Sequence, residues 1–114
     1  ISQALQAMHA TERILGEMLR VADEAVVSFP NFAYRANREA IASGHMPVSE
    51  DLPYEWYDTP NVRFFTIADF EALCDKLDIE VRERLAFDEA GQPVTDDPNL
   101  NGSLAFYRIG RKPV

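Results

Sequence analysis

The strongest constraint on the fold is a short apolar segment, Ala-Val-Val-Ser-Phe at residues 25–29, which Pro30 and Asn31 bring to an end. A strand that is apolar on both faces is typical of a sheet that helices cover on both sides. We therefore expect a buried, parallel strand here. Upstream, Thr11 is a plausible N-cap and apolar residues recur at helical spacing, which predicts an amphipathic helix over residues 11–21.

Two more helices are expected on either side of a long loop. Residues 33–43 are compatible with a helix, and Thr66 caps another, in which Ile67, Phe70, Leu73 and Leu77 recur at helical spacing. Residues 45–61 between them carry three prolines and several aromatic residues. Loops of this length are usually functional or disordered, and the aromatic content argues against disorder.

The chain closes with two predicted strands. The first, residues 79–87, places Ile79, Val81, Leu85 and Phe87 on one face, as suits a strand near a sheet edge. A turn-rich stretch at 88–102 leads to the second strand, residues 103–109. Without a helix between them, these two strands should form an antiparallel pair.

The opening residues, 1–9, read like the end of a further strand. A right-handed crossover through the first helix would place that strand parallel to residues 25–29, with the last strand antiparallel on the other side. This order predicts half of a doubly wound α/β sheet with an antiparallel edge, folded as a single domain over residues 1–114. Because the chain opens with Ile1 rather than Met, we expect a fragment of a larger domain.

The charge and the cysteine content of the chain narrow the range of possible partners and compartments. The net charge is −8 over 114 residues, without a stripe of Lys or Arg, which argues against nucleic acid or an anionic membrane as the main partner. The sequence has no apolar run of the roughly 20 residues that a membrane span needs. The single cysteine excludes an internal disulfide framework, so we expect a cytoplasmic protein.

Candidate ligand contacts follow from the sheet, because ligands of open α/β sheets bind outside the carboxyl ends of the strands. For the opening strand these residues are Ser2, Gln3, Leu5 and Gln6, and for the apolar strand they are Pro30, Asn31 and Phe32. The alternative is that Gln3 and Gln6 only cap the following helix or face water.

The long loop supplies a second group, Trp56, Tyr57 and Asp58, which we interpret as a lid or a partner-binding surface. The alternative is that Tyr54 and Trp56 plug the loop onto the domain's own core. The two readings differ in what Trp56→Ala would impair, namely binding if the loop is a lid or docking surface and folding if Trp56 plugs the core.

No catalytic residue is assigned from the sequence. His9 and His45 lack the spacing of a metal site, so no metal is expected, and His9 is more simply a surface residue than a general base. Cys74, on the helix that Thr66 caps, is expected to be a small core residue.

Four segments, ISQALQAMH, MLRVADEAVVSFPNF, HMPVSEDLPYEWYDTPN and FTIADFEALCDKL, resemble the C-terminal half of the methionine biosynthesis protein MetW family. That family is similar to class I S-adenosylmethionine-dependent methyltransferases. LPYEWYDTPN is the most specific part of the match. After Phe32, where the family pattern tends to have a Gly, an aromatic pair and an Arg-rich helix, this chain has Ala33, Tyr34, Arg35 and Ala36.

The resemblance implies the C-terminal half of a Rossmann-like methyltransferase sheet, with S-adenosylmethionine as cofactor beside the loop of Ser2, Gln3, Leu5 and Gln6. It also implies an association with homoserine O-acyltransferase. The sequence contains no Gly-x-Gly turn, so we expect the chain alone not to hold the cofactor tightly.

Three functions remain open at this point. The first is a methyltransferase-like protein of methionine biosynthesis, which is the reading we favour. The second is a non-catalytic partner or activator of homoserine O-acyltransferase. The third is a small stand-alone α/β interaction domain.

Overall fold

The structure is a computed structural model that describes residues 11–61 and 64–112. None of the helices in these ranges has the length and apolar character needed to cross a bilayer. The chain is α/β, as predicted, and its elements follow in the order α1 (Thr11–Val21), β1 (Glu24–Pro30), α2 (Arg35–Ala42), α3 (Ile67–Lys76), β2 (Ile79–Phe87), α4 (Pro98–Asn101) and β3 (Leu104–Arg111).

Helices α1 and α3 form where the sequence predicts them. In α1, Glu12 lies in the first turn and Arg20 in the last, which complements the helix dipole. The Thr66 hydroxyl caps α3 by accepting a 3.0 Å hydrogen bond from the backbone N–H of Asp69. Both helices bury apolar residues in the same core, namely Leu15 and Leu19 from α1 and Ile67, Phe70 and Cys74 from α3.

The described strands form a three-stranded antiparallel sheet in the order β1-β3-β2. The predicted antiparallel pairings of the last two strands, and of the last strand with β1, are therefore confirmed. The strand expected to run parallel to β1, residues 1–9, lies outside the described residues. What the structure describes is a small antiparallel sheet, and a Rossmann-like half-sheet stays a prediction.

Phe29 of β1 lies at the centre of the core. Its ring centroid is 4.6 Å from that of Phe65, 5.0 Å from Phe70 and 5.7 Å from Tyr107. The expectation that β1 is buried on both faces is wrong at Val26, which is 55% exposed while Val27 and Phe29 are fully buried. One face of β1 packs against the helices and the other is partly open at this point.

The prediction that the apolar residues of β2 share one face is also wrong, because the strand contains a β-bulge between Val81 and Glu83. Val81 pairs with Ile109 and Leu85 with Phe106, residues that point to opposite faces of β3. A bulge inserts one unpaired residue and so reverses the alternation beyond it.

The turn-rich stretch 88–102 contains the short helix α4, which the sequence did not indicate. The cause is a long-range contact: the Asn31 amide donates to the backbone carbonyls of Asn99 (2.9 Å) and Gly102 (2.8 Å). These bonds hold α4 beside the carboxyl end of β1.

Candidate functional site

At the carboxyl end of β1, the side chain of Asn31 makes hydrogen bonds within the protein and does not face solvent. Asn31 is fully buried, and its side-chain oxygen accepts hydrogen bonds from the backbone N–H groups of Ala33 (3.2 Å) and Ile67 (3.1 Å). Its amide nitrogen is occupied by the carbonyls around α4. The side chain predicted to contact a ligand therefore holds together the ends of β1, α3 and α4.

The neighbours of Asn31 differ in exposure. Pro30 is buried at the end of β1, whereas Phe32 is half-buried and packs against the exposed ring of Phe64, with ring centroids 4.8 Å apart. Phe64 in turn borders the long loop, where it lines a cavity of about 10 Å³ together with Trp56 and Leu52. A space of that size holds one water at most. Phe32 and Trp56, both predicted site residues, therefore lie on the same side of the molecule.

Residues 45–61, which we call the aromatic loop, are attached to the rest of the protein at residues 49–52, which we call the base of the loop. Leu52 is only 4% exposed, and Asp51 accepts a 2.6 Å hydrogen bond from the hydroxyl of Ser103. Ser49 and Leu52 exchange two backbone hydrogen bonds, and the backbone N–H of Glu50 donates to Glu89 at 3.3 Å. The buried Leu52 and the hydrogen-bonded Asp51 thus lie at the base of the loop.

The tip of the aromatic loop points into solvent. Trp56 is 72% exposed and Tyr57 is 70% exposed, and their rings meet edge to face at 5.6 Å. Asp58 is exposed beside them. The alternative in which Trp56 plugs the core is thus not what the structure has, and the three residues lie together at the surface.

The residues predicted to contact a cofactor, Ser2, Gln3, Leu5 and Gln6, lie outside the described residues, as does His9. Among the described residues, an open cleft of about 250 Å³ lies between the first turns of α1 and α3, lined mainly by Phe64, Phe65, Phe70 and Leu73. Small-molecule sites typically occupy 300–1,000 Å³ and enclose most of the ligand. This cleft lies just below that range and is open to solvent.

Larger grooves lie away from this edge. One of about 430 Å³ runs between α1 and the start of β2, and another of about 320 Å³ crosses the sheet near Leu85 and Phe106. In residues 11–61 and 64–112, no group of three metal-ligating side chains comes together.

Two buried titratable side chains, Cys74 and Tyr107, contribute to the core rather than to a reactive site. Burial raises the pKa of the Cys74 thiol to about 11, so it is protonated at neutral pH and sits in the core as predicted. Burial, and then a 2.5 Å hydrogen bond to Glu71, raise the pKa of Tyr107 far above its usual range. Arg84 pairs with the same Glu71 oxygen at 2.6 Å. Neither Cys74 nor Tyr107 is poised as a nucleophile or base.

A comparison with protein families finds that residues 1–109 match the model described as methionine biosynthesis protein MetW. The chain belongs to the MetW family. A bifunctional methionine biosynthesis protein MetXA/MetW from Rhodopirellula baltica is 39% identical over an alignment of 119 positions, gaps included, and the alignment covers 97% of this chain and 19% of that protein. The chain thus spans about a fifth of the length of this relative. MetW membership confirms the predicted resemblance and connects the chain with methionine biosynthesis.

Sequence reasoning located the aromatic loop but missed Leu52, Asp51 and Ser103 as its base. Leu52 looked like one more apolar residue in a loop rich in them. The Asp51–Ser103 contact joins positions 52 residues apart, which no local pattern indicates.

Proposed function

We propose that this chain acts in methionine biosynthesis as a binding partner of homoserine O-acyltransferase. The observation that carries the proposal is the relative that joins MetXA and MetW in one polypeptide. The family resemblance implies that the partner is homoserine O-acyltransferase. Joining two modules in one chain raises their effective concentration to the millimolar range, which benefits modules that work in contact.

The shape of the aromatic loop supports the same proposal. Its base is held by the Asp51–Ser103 hydrogen bond, and its tip exposes the rings of Trp56 and Tyr57. Trp and Tyr are among the residues most enriched in the centres of protein interfaces. A lid over a small substrate would instead be expected to border an enclosed pocket. The cavity beside Trp56 measures about 10 Å³.

The test is association with the acyltransferase of the same organism. Purified homoserine O-acyltransferase titrated with this chain in a calorimeter should show saturable binding, and its kcat or KM for homoserine should change in proportion to the bound fraction. An absence of binding at concentrations of tens of micromolar, with both proteins folded, would contradict the proposal.

Methyl transfer is the second reading, and it rests on the resemblance to class I methyltransferases. In that reading Ser2, Gln3, Leu5 and Gln6 contact S-adenosylmethionine. Since the sequence has no Gly-x-Gly turn and the cleft between α1 and α3 is small and open, we propose that the 114-residue chain does not bind this cofactor usefully by itself.

A titration of the chain with S-adenosylmethionine decides the second reading. We expect no heat of binding beyond dilution up to millimolar cofactor. Micromolar affinity would instead favour a catalytic role and show that the chain builds a cofactor site without a glycine-rich turn.

A further inference from the structure

We propose that the aromatic loop is the surface that docks on the partner, and that it fits a cationic patch in which Lys or Arg side chains surround an apolar pocket. This inference rests on the proposed function and adds the site and the chemistry of the contact. Trp56 would enter the pocket, with Tyr57 beside it.

The first argument is the geometry of the tip. The backbone N–H of Asp58 bonds the carbonyl of Glu55 at 3.2 Å, which closes a turn with Trp56 and Tyr57 at its two central positions. Both rings therefore project from the same turn, and each is more than two-thirds exposed. An aromatic pair presented in this way offers a large contact area for a small loss of conformational freedom.

The second argument is that the loop is fixed before it binds. Leu52 is buried at its base, the Ser103 hydroxyl holds Asp51, and Pro53 and Pro60 restrict the backbone on each side of the tip. A surface that is already ordered loses less entropy on association than a mobile one.

The third argument is charge, which selects the kind of partner surface. Residues 45–61 contain four carboxylates and no Lys or Arg, and Glu55 and Asp58 flank the exposed aromatic pair. Such a surface repels nucleic acid and anionic lipid and attracts a cationic patch on a protein. An Arg or Lys of that patch could also lie over the face of Trp56, which is the best aromatic acceptor of a cation.

The experiment measures the affinity of homoserine O-acyltransferase for the wild-type chain and for two pairs of variants. In the first pair, Trp56→Ala tests the anchor, and Val21→Ala is the control, because Val21 is equally exposed (71%) but lies on α1. We expect Trp56→Ala to weaken binding about 30-fold, as for a typical interface anchor, and Val21→Ala to leave it unchanged. Both variants should keep the wild-type melting temperature.

The second pair tests the charges. Glu55→Gln/Asp58→Asn removes two negative charges from the loop, and Glu12→Gln/Asp75→Asn removes two from α1 and α3. At about 50 mM salt the loop variant should bind several-fold more weakly than the wild type, while the control binds normally. At about 500 mM salt the loop variant and the wild type should converge, because screening removes the attraction.

Each outcome decides the inference. If the wild type binds and Trp56→Ala binds equally well, the docking surface lies elsewhere, and the inference is wrong while the proposed function stands. If Trp56→Ala weakens binding but neither the charge substitutions nor the salt concentration change the affinity, the partner surface is not a cationic patch and that part of the inference is wrong. If the wild type does not bind at all, the proposed function fails and the inference fails with it.

Discussion

At the scale of single residues, Asn31 does most to hold the carboxyl end of β1 in place. Its side chain is fully buried, donates to the carbonyls of Asn99 and Gly102 and accepts from the N–H groups of Ala33 and Ile67. Each of those backbone groups would be left without this partner in a truncated variant. An unsatisfied buried polar group costs about 1–3 kcal/mol.

We therefore expect Asn31→Ala to lower the free energy of unfolding by about 3 kcal/mol or more, measured by urea denaturation. Gln92→Ala, which truncates an exposed amide side chain, is the control and should change it by less than about 0.5 kcal/mol. If Asn31→Ala unfolds like the wild type but loses ligand or partner binding, Asn31 is a contact residue, as the sequence suggested.

The contrast between Thr66 and Asn31 shows which residue roles a sequence reveals. The Thr66 cap is a contact between residues three apart, so the local pattern predicted it. The partners of the Asn31 amide at α4 lie 68 and 71 residues away. Asn31 was therefore predicted from strand topology alone as a residue near a ligand, and its bonding to α4 could not be foreseen.

At the scale of elements, the bounds of α1 and β2 follow from local patterns, whereas helix α4 and the bulge in β2 do not. The sequence predicts α1 and β2 over the residues that form them. In the bulge, Arg82 reaches across Gly110 of β3 to the carboxylate of Glu24 on β1, at 3.1 Å. A side chain at position 110 would meet that guanidinium. This contact involves all three strands, so the alternation within β2 alone could not indicate it.

The base of the aromatic loop allows a matched test with two serines. The Ser103 hydroxyl donates to Asp51, whereas the buried Ser49 Oγ has no hydrogen-bond partner in the part of the chain that the structure describes. Ser103→Ala should therefore cost about 1–3 kcal/mol of stability and speed chymotrypsin cleavage in the aromatic loop. Ser49→Ala should be neutral or slightly stabilising, because it removes an unsatisfied polar atom.

Urea denaturation and timed digestion of both variants check this prediction. Equal behaviour of Ser103→Ala and Ser49→Ala would mean that the Asp51 contact does not hold the loop.

At the scale of the whole molecule, one face of the sheet carries the core and the other carries charges and partly exposed apolar residues. The sequence suggested burial on both faces, because Val26 lies in an apolar run. In the structure Val26 and Leu85 are about half exposed, at 55% and 49%. Local hydropathy identifies a strand, but the layers that cover it depend on segments distant in the sequence.

The charges on that outer face join the three strands. Glu24 of β1 pairs with Arg82 of β2 at 3.1 Å and with Arg108 of β3 at 2.9 Å. These partners lower the pKa of Glu24, chiefly through the hydrogen bond from Arg82, although exposure to solvent screens the effect. These ion pairs thus favour the ionised form of Glu24 in the folded sheet.

The sign of the pH dependence follows from the direction of that shift. A carboxyl group whose pKa is lower in the folded state stabilises the fold above its unfolded value, here 4.5, and loses this contribution as the pH falls through the folded pKa. Glu24→Gln should therefore lower the urea midpoint at about pH 7, and the difference from the wild type should shrink steadily below about pH 4.5. Glu17→Gln, which breaks an exposed ion pair with Arg20 within α1, is the control and should leave strand pairing unaffected. A difference between Glu24→Gln and the wild type that stays constant down to about pH 2 would show that Glu24 stabilises the sheet by packing or by neutral hydrogen bonds rather than by its charge.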